Sequence, residues 1–404
     1  MSGVVMIFHI ALLLAGLCAF AMASYFFIVT MRGFFAGLSV KSAAVESRIA
    51  VIIPAHNEAL LIERTINSVK SSDYPVPLFD IIVIADNCTD DTAGIARDAG
   101  VTCLQRSDTG NKGKGYALQW AFENEIVKNG GYGAFLIMDA DSVVSKNVIQ
   151  KVNDYISSGF DALTCYHMVQ GRESTPVLEM VKMGFILRNL RNAGISALGG
   201  SAPLLGSGMG FSRKLVESFG WTSFSLTEDR EEWAFLYSKG VRVGYIPEAR
   251  VFSEIPETVK DLGNPRARWD IGRKNIKKTF LMPFLSRLMA EKNLGSLVTF
   301  FELIAPPFTL FLFFIGLVTL PLLLAHNHIS PYTTALWLAA LSLMILSALA
   351  GLIRMKAAPR SYLNLFVYSF FLIPWRVFNF LRGTLGKREW RRTARGDSTK
   401  EERK

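Results

Sequence analysis

The sequence has few cysteines and lacks the common nucleotide-binding loops. Its four cysteines, Cys18, Cys88, Cys103 and Cys165, form no C-x-x-C pair, so neither a zinc site nor a disulfide framework is indicated. No G-x-x-x-x-G-K-[ST] motif occurs, and no G-x-G-x-x-G follows a predicted strand. A P-loop enzyme is therefore not supported, and we expect the thiols to be reduced and structural.

Charged residues are missing from long stretches near both ends of the chain. No residue from Val4 to Met31 carries a formal charge, and this run exceeds the roughly 20 residues that cross a bilayer as a helix. Further uncharged runs extend from Leu303 to Ala325 and from Thr333 to Ile353, with a weaker one from Tyr362 to Pro374. These runs predict a membrane protein whose middle part is water-soluble.

The first apolar run could be a transmembrane helix or a cleaved signal peptide, since Ala21–Ser24 contains a small-x-small pattern. The absence of Lys or Arg before the run, and its apolar continuation, favour a retained helix. Lys and Arg residues follow the first and third runs, which by the positive-inside rule places the middle of the chain in the cytoplasm. These residues are Arg32, Lys41 and Arg48, and Arg354, Lys356 and Arg360.

The formal net charge of +10 raises the question of nucleic acid as a partner. Much of the surplus lies beside the apolar runs and in the tail "GKREWRRTAR", where anionic lipid explains it more simply, so we expect a lipid bilayer and no nucleic acid. Because the loop at 354–360 and this tail are both basic, both should be cytoplasmic. The segment from Tyr362 to Leu381, interrupted by Pro374 and Arg376, is then expected to lie along the interface or to re-enter.

Strand and helix patterns alternate through the middle of the chain. "RIAVIIPAHNE" predicts a buried strand, a turn at Pro54 and a helix beginning near Glu58. "LFDIIVIADNCTDDTAGIARDAG" predicts a second strand, a helix starting near Asp90 with Thr89 as its N-cap, and a stop at Gly100. "GVTCLQR", "GKGYALQWAFENEI" and "GAFLIMDAD" continue the alternation, so an α/β domain with a mainly parallel sheet covered on both faces is predicted.

Polar residues occur where the predicted strands end, which is where ligands bind in such sheets: Asn57, Asp86 and Asp139. Asp86 on its turn suits hydrogen bonding to a base or ribose, whereas an Asx turn that caps a helix is a serious alternative for Asp90. Lys112 and Lys114 stand among glycines before a helix, a pattern typical of an anion site or of a solvated loop.

Two carboxylates follow the fourth predicted strand, with one alanine between them. Asp139 and Asp141 point the same way on an extended chain and repel each other, so a positive charge must offset them. Oxygen ligands suit Mg²⁺ or Mn²⁺, which complete their coordination with water and substrate phosphate. A pair of exposed turn acids is the alternative.

The stretch "TEDREEWAFLYS" places Thr227, Glu228 and Asp229 before an amphipathic helix. A capping box explains part of this pattern, because acids are favourable at a helix N-terminus. An acid near a leaving group could equally accept a proton from a nucleophilic hydroxyl, and the spacing does not choose between the two roles.

Seven motifs, in order, resemble those of the membrane-bound family 2 glycosyltransferases, the group of cellulose, chitin and hyaluronan synthases. They are "IIPAHNE", "ADNCTDDT", "GKGYAL", "DAD", "GSGMGFSR", "TED" and "RARWDIGR". The resemblance covers roughly Ala50 to Arg273 and extends to the flanking apolar segments. It implies a GT-A fold, a UDP-sugar donor and inversion at the anomeric carbon.

On the donor side, the resemblance implies that Glu58 and Asp86 line the uridine pocket and that Lys114 lies near the nucleotide. Asp139 and Asp141 match the D-x-D pair of the family, with Asp141 as the direct ligand of Mg²⁺ or Mn²⁺. A bound cation would stabilise the departing diphosphate.

On the acceptor side, Asp229 matches the aspartate of T-E-D and is implied as the general base, with Glu228 supporting its loop. Gly206, Ser207 and Gly208 resemble the loop beneath the acceptor sugar. In these assignments a carboxylate activates the attacking hydroxyl of the acceptor.

The chain departs from the family at one position. Processive members carry Gln-x-x-Arg-Trp, and here Arg268 and Trp269 match while Pro265 replaces the glutamine. This replacement puts processive polymerisation in doubt but not sugar transfer. Trp269 is an acceptor platform in this interpretation, and an interfacial aromatic anchor is the alternative.

The predicted organisation has five parts: a transmembrane helix (1–31), a GT-A domain (48–260), amphipathic interface helices (261–295), membrane or interfacial helices (296–382) and a basic tail (383–404). Glu302, Pro306 and Pro307 open the second crossing and mark either its cytoplasmic entry or a polar pathway. A multi-pass inner-membrane enzyme that extends a cell-surface polysaccharide is predicted. Single-sugar transfer to a lipid-linked acceptor, and a scaffold or transporter with a degenerate nucleotide module, are the alternatives.

Overall fold

The computed structural model describes residues 3–37, 39–170, 175–254, 259–325, 329–356 and 362. The described residues contain an eight-stranded sheet in the order β3-β2-β1-β4-β7-β6-β8-β5. Its strands are β1 (Ile49–Ala55), β2 (Phe79–Asp86), β3 (Thr102–Arg106), β4 (Ala134–Ile137), β5 (Ser142–Val144), β6 (Ala162–Gln170), β7 (Met209–Ser212) and β8 (Val243–Glu254).

Helices cover the sheet and extend from it. They are α1 (Gly3–Phe34), α2 (Ile62–Lys70), α3 (Thr92–Asp98), α4 (Lys114–Glu123), α5 (Glu125–Asn129), α6 (Val148–Ser157), α7 (Pro176–Ala197), α8 (Arg213–Phe219), α9 (Glu228–Ser238), α10 (Val259–Glu291), α11 (Leu294–Ile304), α12 (Phe308–Leu324) and α13 (Pro331–Met355). A short 3-10 turn spans Val76–Leu78.

The central strands are buried on both faces, as expected for parallel strands between layers of helices. Along β1, Ile49, Val51 and Ile53 belong to one apolar cluster, and Ala50 and Ile52 belong to the cluster on the opposite face. β1 pairs in parallel with β2 and β4, and β2 with β3, whereas β7 runs antiparallel to β4 and β6. The predicted α/β domain with a mainly parallel sheet is therefore confirmed.

Several predicted boundaries were wrong, for local reasons. Pro54 lies inside β1, opposite Ile84, and the following helix begins at Ile62 rather than near Glu58. The next helix begins at Thr92 with Asp91 as its N-cap, because the Thr89 backbone amide donates to the Asn57 side chain instead of starting a helix.

Two further helix predictions in this region differ in outcome. Gly100 follows the end of α3 with φ of 67°, which confirms the predicted stop. The helix predicted from "GKGYALQWAFENEI" is divided into α4 and α5, because Asn124 has extended backbone and its side chain caps Ile126.

Among the described residues, two helices are long and apolar enough to cross a membrane: Met6–Phe34 within α1, and α13. α11 and α12 together meet the same criterion but are bent by 79° at their junction, where Pro306 and Pro307 stand. The crossing predicted for Leu303–Ala325 is therefore a broken pair of helices, consistent with the helix-breaking effect of proline. The segment predicted to lie at the interface, apart from Tyr362, and the basic tail lie outside the described residues.

Helix α7 packs the membrane-length helix α1 onto the sheet domain. A Cβ added to Gly194 of α7 would lie 1.8 Å from the Val29 carbonyl oxygen of α1, and one added to Gly33 would lie 1.8 Å from the Leu190 oxygen. Only glycine permits such a close approach of two helix backbones. This contact, which the sequence analysis did not predict, joins α1 to the domain that carries the candidate site.

Candidate active site

The loops that follow β1 and β2 are tied to each other at the carboxyl edge of the sheet. Asn57 has a left-handed backbone with φ of 56°, and its Oδ1 accepts from the Thr89 amide at 2.7 Å. The His56 ring lies 2.8 Å, through Nδ1, from the Asp86 carbonyl oxygen. These bonds hold the predicted donor loops in one arrangement.

Asp86 has a buried cationic partner that the sequence analysis missed. Arg106 donates to its Oδ1 at 2.6 Å, and the two side chains are only 6% and 7% exposed. Arg106 also donates to Asp108 at 2.8 Å. The signal was available, since Arg106 ends the strand β3 and lies directly opposite Asp86 in register, but strand order had to be known to use it.

Glu58 and Asp90 lie on the same rim. The Glu58 amide donates to Thr92 Oγ1 at 2.8 Å, and the Ala59 amide donates to Asp90 Oδ2 at 3.1 Å. Asp90 Oδ1 accepts from the Thr92 amide at 3.1 Å, as in an Asx turn. The geometry thus favours the turn interpretation of Asp90, and Glu58 stands beside it, half-buried.

The D-x-D pair meets a lysine. Lys114, the first residue of α4, donates to Asp139 Oδ1 at 2.6 Å, and the Asp139 amide donates to Ser207 Oγ at 3.0 Å. Asp141 is 7% exposed, and Ser142 Oγ lies 3.4 Å from its Oδ1. Lys114 therefore supplies part of the positive charge that the carboxylate pair requires, while Lys112 is exposed in the loop before it.

The T-E-D motif begins α9, and its threonine does not form a side-chain cap. Thr227 Oγ1 is buried without a hydrogen-bond partner among the described residues, so the capping-box interpretation is not supported. Glu228 lies 3.5 Å from Lys114 Nζ, and Asp229 Oδ1 accepts from the Arg230 amide at 2.8 Å.

Burial and charge set the ionisation of two of these groups. Burial raises the pKa of the Glu228 carboxyl, Lys114 opposes this shift, and Asp229 and Asp139 add to it. Burial lowers the pKa of the Lys114 ammonium, but the charges of Asp139 and Glu228 outweigh burial and leave that pKa above its ordinary value. Lys114 thus stays cationic while Glu228 retains a proton to higher pH than a free glutamate.

Residues of the predicted donor site and of the T-E-D motif converge at Gly206. A Cβ added to Gly206 would lie 3.4 Å from Asp139 Oδ2, 3.6 Å from Lys114 Nζ and 3.8 Å from Asp229 Oδ2. The Gly208 amide donates to the Ile137 carbonyl at 2.9 Å, which places this loop beside the end of β4. The glycine loop therefore forms the floor of a small site walled by carboxylates and one ammonium.

The structure requires a glycine at position 208 and uses the hydroxyl of Ser207. Gly208 has φ of 79°, and a Cβ there would lie 2.6 Å from Val251 Cγ2, so a side chain does not fit. Ser207 is fully buried and accepts from the Asp139 amide. Both residues hold the loop against the D-x-D strand end.

Trp269 lies in α10 near a second cluster of charge. The Arg188 guanidinium is 6.0 Å from the centre of its ring, within the range of a cation–π contact. The backbone of Arg268 is helical, and its side chain, like that of Pro265, lies outside the described part of the structure. The predicted Arg-Trp pair is therefore placed on α10, with only the tryptophan side chain described.

Comparison with known proteins decides the family. Residues 47–272 match the family described as "Glycosyltransferase like family 2". The chain belongs to this family. The resemblance stated from the seven motifs is confirmed, and a scaffold or transporter of another family is not supported.

Curated relatives of this glycosyltransferase include polysaccharide synthases. It is 26% identical over 284 residues to the probable glycosyltransferase YdaM of Bacillus subtilis, covering 67% of this chain and 64% of that protein. It is 26% identical over 297 residues to the poly-beta-1,6-N-acetyl-D-glucosamine synthase of Staphylococcus epidermidis, covering 70% and 67%. The match thus spans less than two thirds of the first relative.

A solved structure supports the fold. The mannosyltransferase PcManGT from Pyrobaculum calidifontis, in complex with GDP-Man and Mn²⁺, superposes with a TM-score of 0.56 at 16% identity, covering 85% of this chain and 97% of that one. Identity at this level shows the fold alone. The GT-A-type fold predicted from the motifs is therefore confirmed.

Proposed function

We propose that this glycosyltransferase transfers a sugar from a UDP-sugar to a growing cell-surface polysaccharide, with inversion at the anomeric carbon. The observation that carries the proposal is the convergence at Gly206 of Asp139, Lys114 and Asp229, which come from three separate parts of the chain. A donor diphosphate at the D-x-D end and an acceptor hydroxyl at Asp229 would then meet within one small site.

The donor half of the site suits a nucleotide diphosphate. Asp86, oriented by Arg106, and Glu58 border the space where the base and ribose would lie, and Lys114 offers a fixed positive charge to the diphosphate. Asp139 and Asp141 would hold Mg²⁺ or Mn²⁺. Carboxylate oxygens are ligands that these ions prefer. No group of three metal-binding side chains is found among the described residues, so diphosphate and water would supply the remaining ligands. A bound ion would stabilise the leaving diphosphate.

The acceptor half suits proton removal. Asp229 Oδ2, like Lys114 Nζ, would lie within 4 Å of a Cβ added to Gly206, and the Asp229 carboxylate would accept the proton of the attacking hydroxyl. Glu228, whose pKa is raised by burial, lies beside Asp229 and 3.5 Å from Lys114 Nζ. Attack from the side opposite to the leaving diphosphate inverts the anomeric carbon.

The membrane helices and the relatives support polymer synthesis. The poly-beta-1,6-N-acetyl-D-glucosamine synthase relative is named for a polysaccharide product. α1 and α13 have membrane length, and the broken pair α11–α12 follows α10 directly. Basic residues after α1 and at the end of α13 favour a multi-pass inner-membrane protein with its catalytic domain in the cytoplasm.

The test is UDP release followed by product sizing. Full-length protein in vesicles, given a panel of UDP-sugars with Mg²⁺ or Mn²⁺, should release UDP from one donor and form a ladder or high-mass glycan protected inside the vesicles. GDP-mannose serves as the control donor and should yield no GDP. Absence of UDP release from every donor contradicts the enzyme proposal, and a single added sugar on the donor side contradicts the polysaccharide proposal.

A further inference from the structure

Glu302 is a buried carboxylate on α11 that contacts three other helices. Its side chain is 4% exposed, Tyr25 of α1 donates to Oε2 at 2.7 Å, and Arg230 of α9 donates to Oε1 at 2.6 Å. Arg191 of α7 lies 3.9 Å from Oε2 through its Nε. Both oxygens of Glu302 are therefore engaged, and the contacts join the membrane-length helix α1 to the helix that begins with the T-E-D motif.

Arg230 connects this carboxylate to the predicted base. Its backbone amide donates to Asp229 Oδ1 at 2.8 Å, while its guanidinium donates to Glu302. If the Arg230 side chain shifts and the backbone of Arg230 moves with it, the Asp229 carboxylate therefore moves as well. The connection runs through one residue and two hydrogen bonds.

The surroundings make the charge of Glu302 necessary. Arg188 and Arg191 of α7 and Arg273 of α10 share this region with Arg230, and the Nε atoms of Arg191 and Arg273 are buried without a hydrogen-bond partner among the described residues. Burial and the neighbouring arginines lower the pKa of Arg188 to about 10 and that of Arg273 to about 9. Without the carboxylate, these buried cations would repel Arg230 with little to oppose them.

Other acids near the arginines do not replace Glu302. Asp229 and Asp270 raise the pKa of Arg188 and Arg273 respectively, but Asp229 also faces the glycine loop. Glu302 is the acid that the described structure shows in a direct ion pair with both Arg230 and Arg191. Its position on the bent pair α11–α12 makes this electrostatic contact depend on how the membrane helices pack.

We propose that Glu302 is a positioning residue for sugar transfer: through Arg230 it holds Asp229 against the glycine loop, so that α1 and α11 are part of the active-site geometry. The inference rests on the proposed role of Asp229 as the base. It also explains why an acid stands just before the Pro306–Pro307 break, a position that suggested only a cytoplasmic entry or a polar pathway.

The test uses Glu302→Gln in the full-length protein in nanodiscs. Glutamine keeps the size of the side chain and an acceptor oxygen but removes the charge. Because a displacement of about 1 Å can cost about 10²-fold in rate, kcat should fall about 10- to 100-fold, while donor KM and UDP affinity change by less than about twofold. A comparable loss of donor affinity would overturn the proposal.

Glu232→Gln is the matched control. Glu232 lies on the same helix as Asp229, is 1% exposed and accepts from Thr222 rather than from Arg230. Removal of this buried carboxyl should change kcat by less than about threefold, in the range of an ordinary buried substitution. An equal loss of kcat in both variants would show that any buried carboxyl on this face has the same effect, and would overturn a specific role for Glu302.

A second background separates positioning from general structural damage. In Asp229→Asn, where the base is absent, Glu302→Gln should lower the residual rate by less than about twofold, because residues that act through one group are not additive. A further 10- to 100-fold loss would overturn the proposal. If Glu302→Gln does not fold, Arg230→Lys replaces it. Lysine keeps the positive charge and the backbone amide but lacks the planar set of guanidinium N–H donors. The same loss of kcat without a change in donor KM is expected.

The two proposals fail separately. If the wild-type protein releases no UDP from any donor, the proposed function fails before any variant is made. If the wild-type protein is active and Asp229→Asn is inactive, but Glu302→Gln retains wild-type kcat, only the positioning role is overturned.

Discussion

The two halves of the candidate site are held in different ways. On the donor side, Asp86 and Arg106 are paired by adjacent parallel strands, and Asn57 binds Thr89 on the next loop of the same sheet edge. On the proposed acceptor side, Asp229 is held through Arg230 by Glu302, which lies 72 residues beyond Arg230 in sequence, and Glu302 is held by Tyr25, 277 residues away. The comparison indicates that the sheet itself builds the proposed donor half, whereas the proposed acceptor half depends on contacts with α1 and α11.

The largest expected effect is on the acceptor side. Asp229→Asn should lower kcat about 10²- to 10⁴-fold, the usual contribution of a general base, while UDP affinity measured by calorimetry changes little. An equal loss of UDP affinity would assign Asp229 to a structural role at the start of α9 and would remove the contrast between the halves.

The corresponding donor-side change is Asp141→Asn. Because asparagine keeps an oxygen but loses the charge, turnover should fall about 10²-fold at ordinary Mg²⁺ or Mn²⁺ concentration. Raising the metal concentration should restore part of the activity of Asp141→Asn, whereas it should not restore the activity of Asp229→Asn. Activity like that of the wild type at low metal concentration would refute the metal assignment.

A stability comparison tests whether the donor half depends on its own ion pair. Arg106→Gln leaves Asp86 buried without its cation and should destabilise the protein by about 3 kcal/mol in denaturant unfolding, with weaker UDP binding. Arg48→Gln is the control, because the Arg48–Asp80 pair is 45% and 38% exposed and such pairs contribute about 0 to 1 kcal/mol. Similar losses in the two variants would contradict the burial argument.

The smallest effect concerns the contact between α1 and α7. Gly194→Ala places a Cβ 1.8 Å from the Val29 oxygen and should destabilise the protein by about 1 to 3 kcal/mol, because the helices must separate. In the same helix, a Cβ added to Gly184 would have no atom of another described segment within 4 Å, so Gly184→Ala should stabilise the protein by about 0.5 to 1 kcal/mol. Thermal unfolding in detergent measures the stability change of both variants. The proposed dependence of the site on α1 also predicts that only Gly194→Ala lowers kcat.

Local patterns were sufficient to predict much of this protein. The β-branched runs ending at Ala85 and before Asp139 indicated buried parallel strands, since strands covered on both faces are continuously apolar. The uncharged runs indicated α1 and α13. Asp139, Asp141, Glu228 and Asp229 were identified as candidate site residues because each motif lies within a few consecutive residues. In each case the signal depends on neighbours along the chain.

The missed features all depend on contacts between distant segments. The starts of α2 at Ile62 and of α3 at Thr92 follow from hydrogen bonds between two loops. The residue preferences of either loop alone do not predict these starts. The partners of the recognised acids were likewise absent from the prediction, because Lys114 is brought to Asp139 and Glu228 only when β4 is inserted between β1 and β7.

The sequence by itself determined which groups are candidates for the chemistry, because the identity and spacing of Asp139, Asp141 and Asp229 are local properties of the chain. Only the tertiary structure decided how these groups are held and charged. Burial and Coulomb interactions depend on distance in space, so the pairing of Asp86 with Arg106, the raised pKa of Glu228 and the link from Glu302 to Asp229 arise when segments far apart in sequence are packed together.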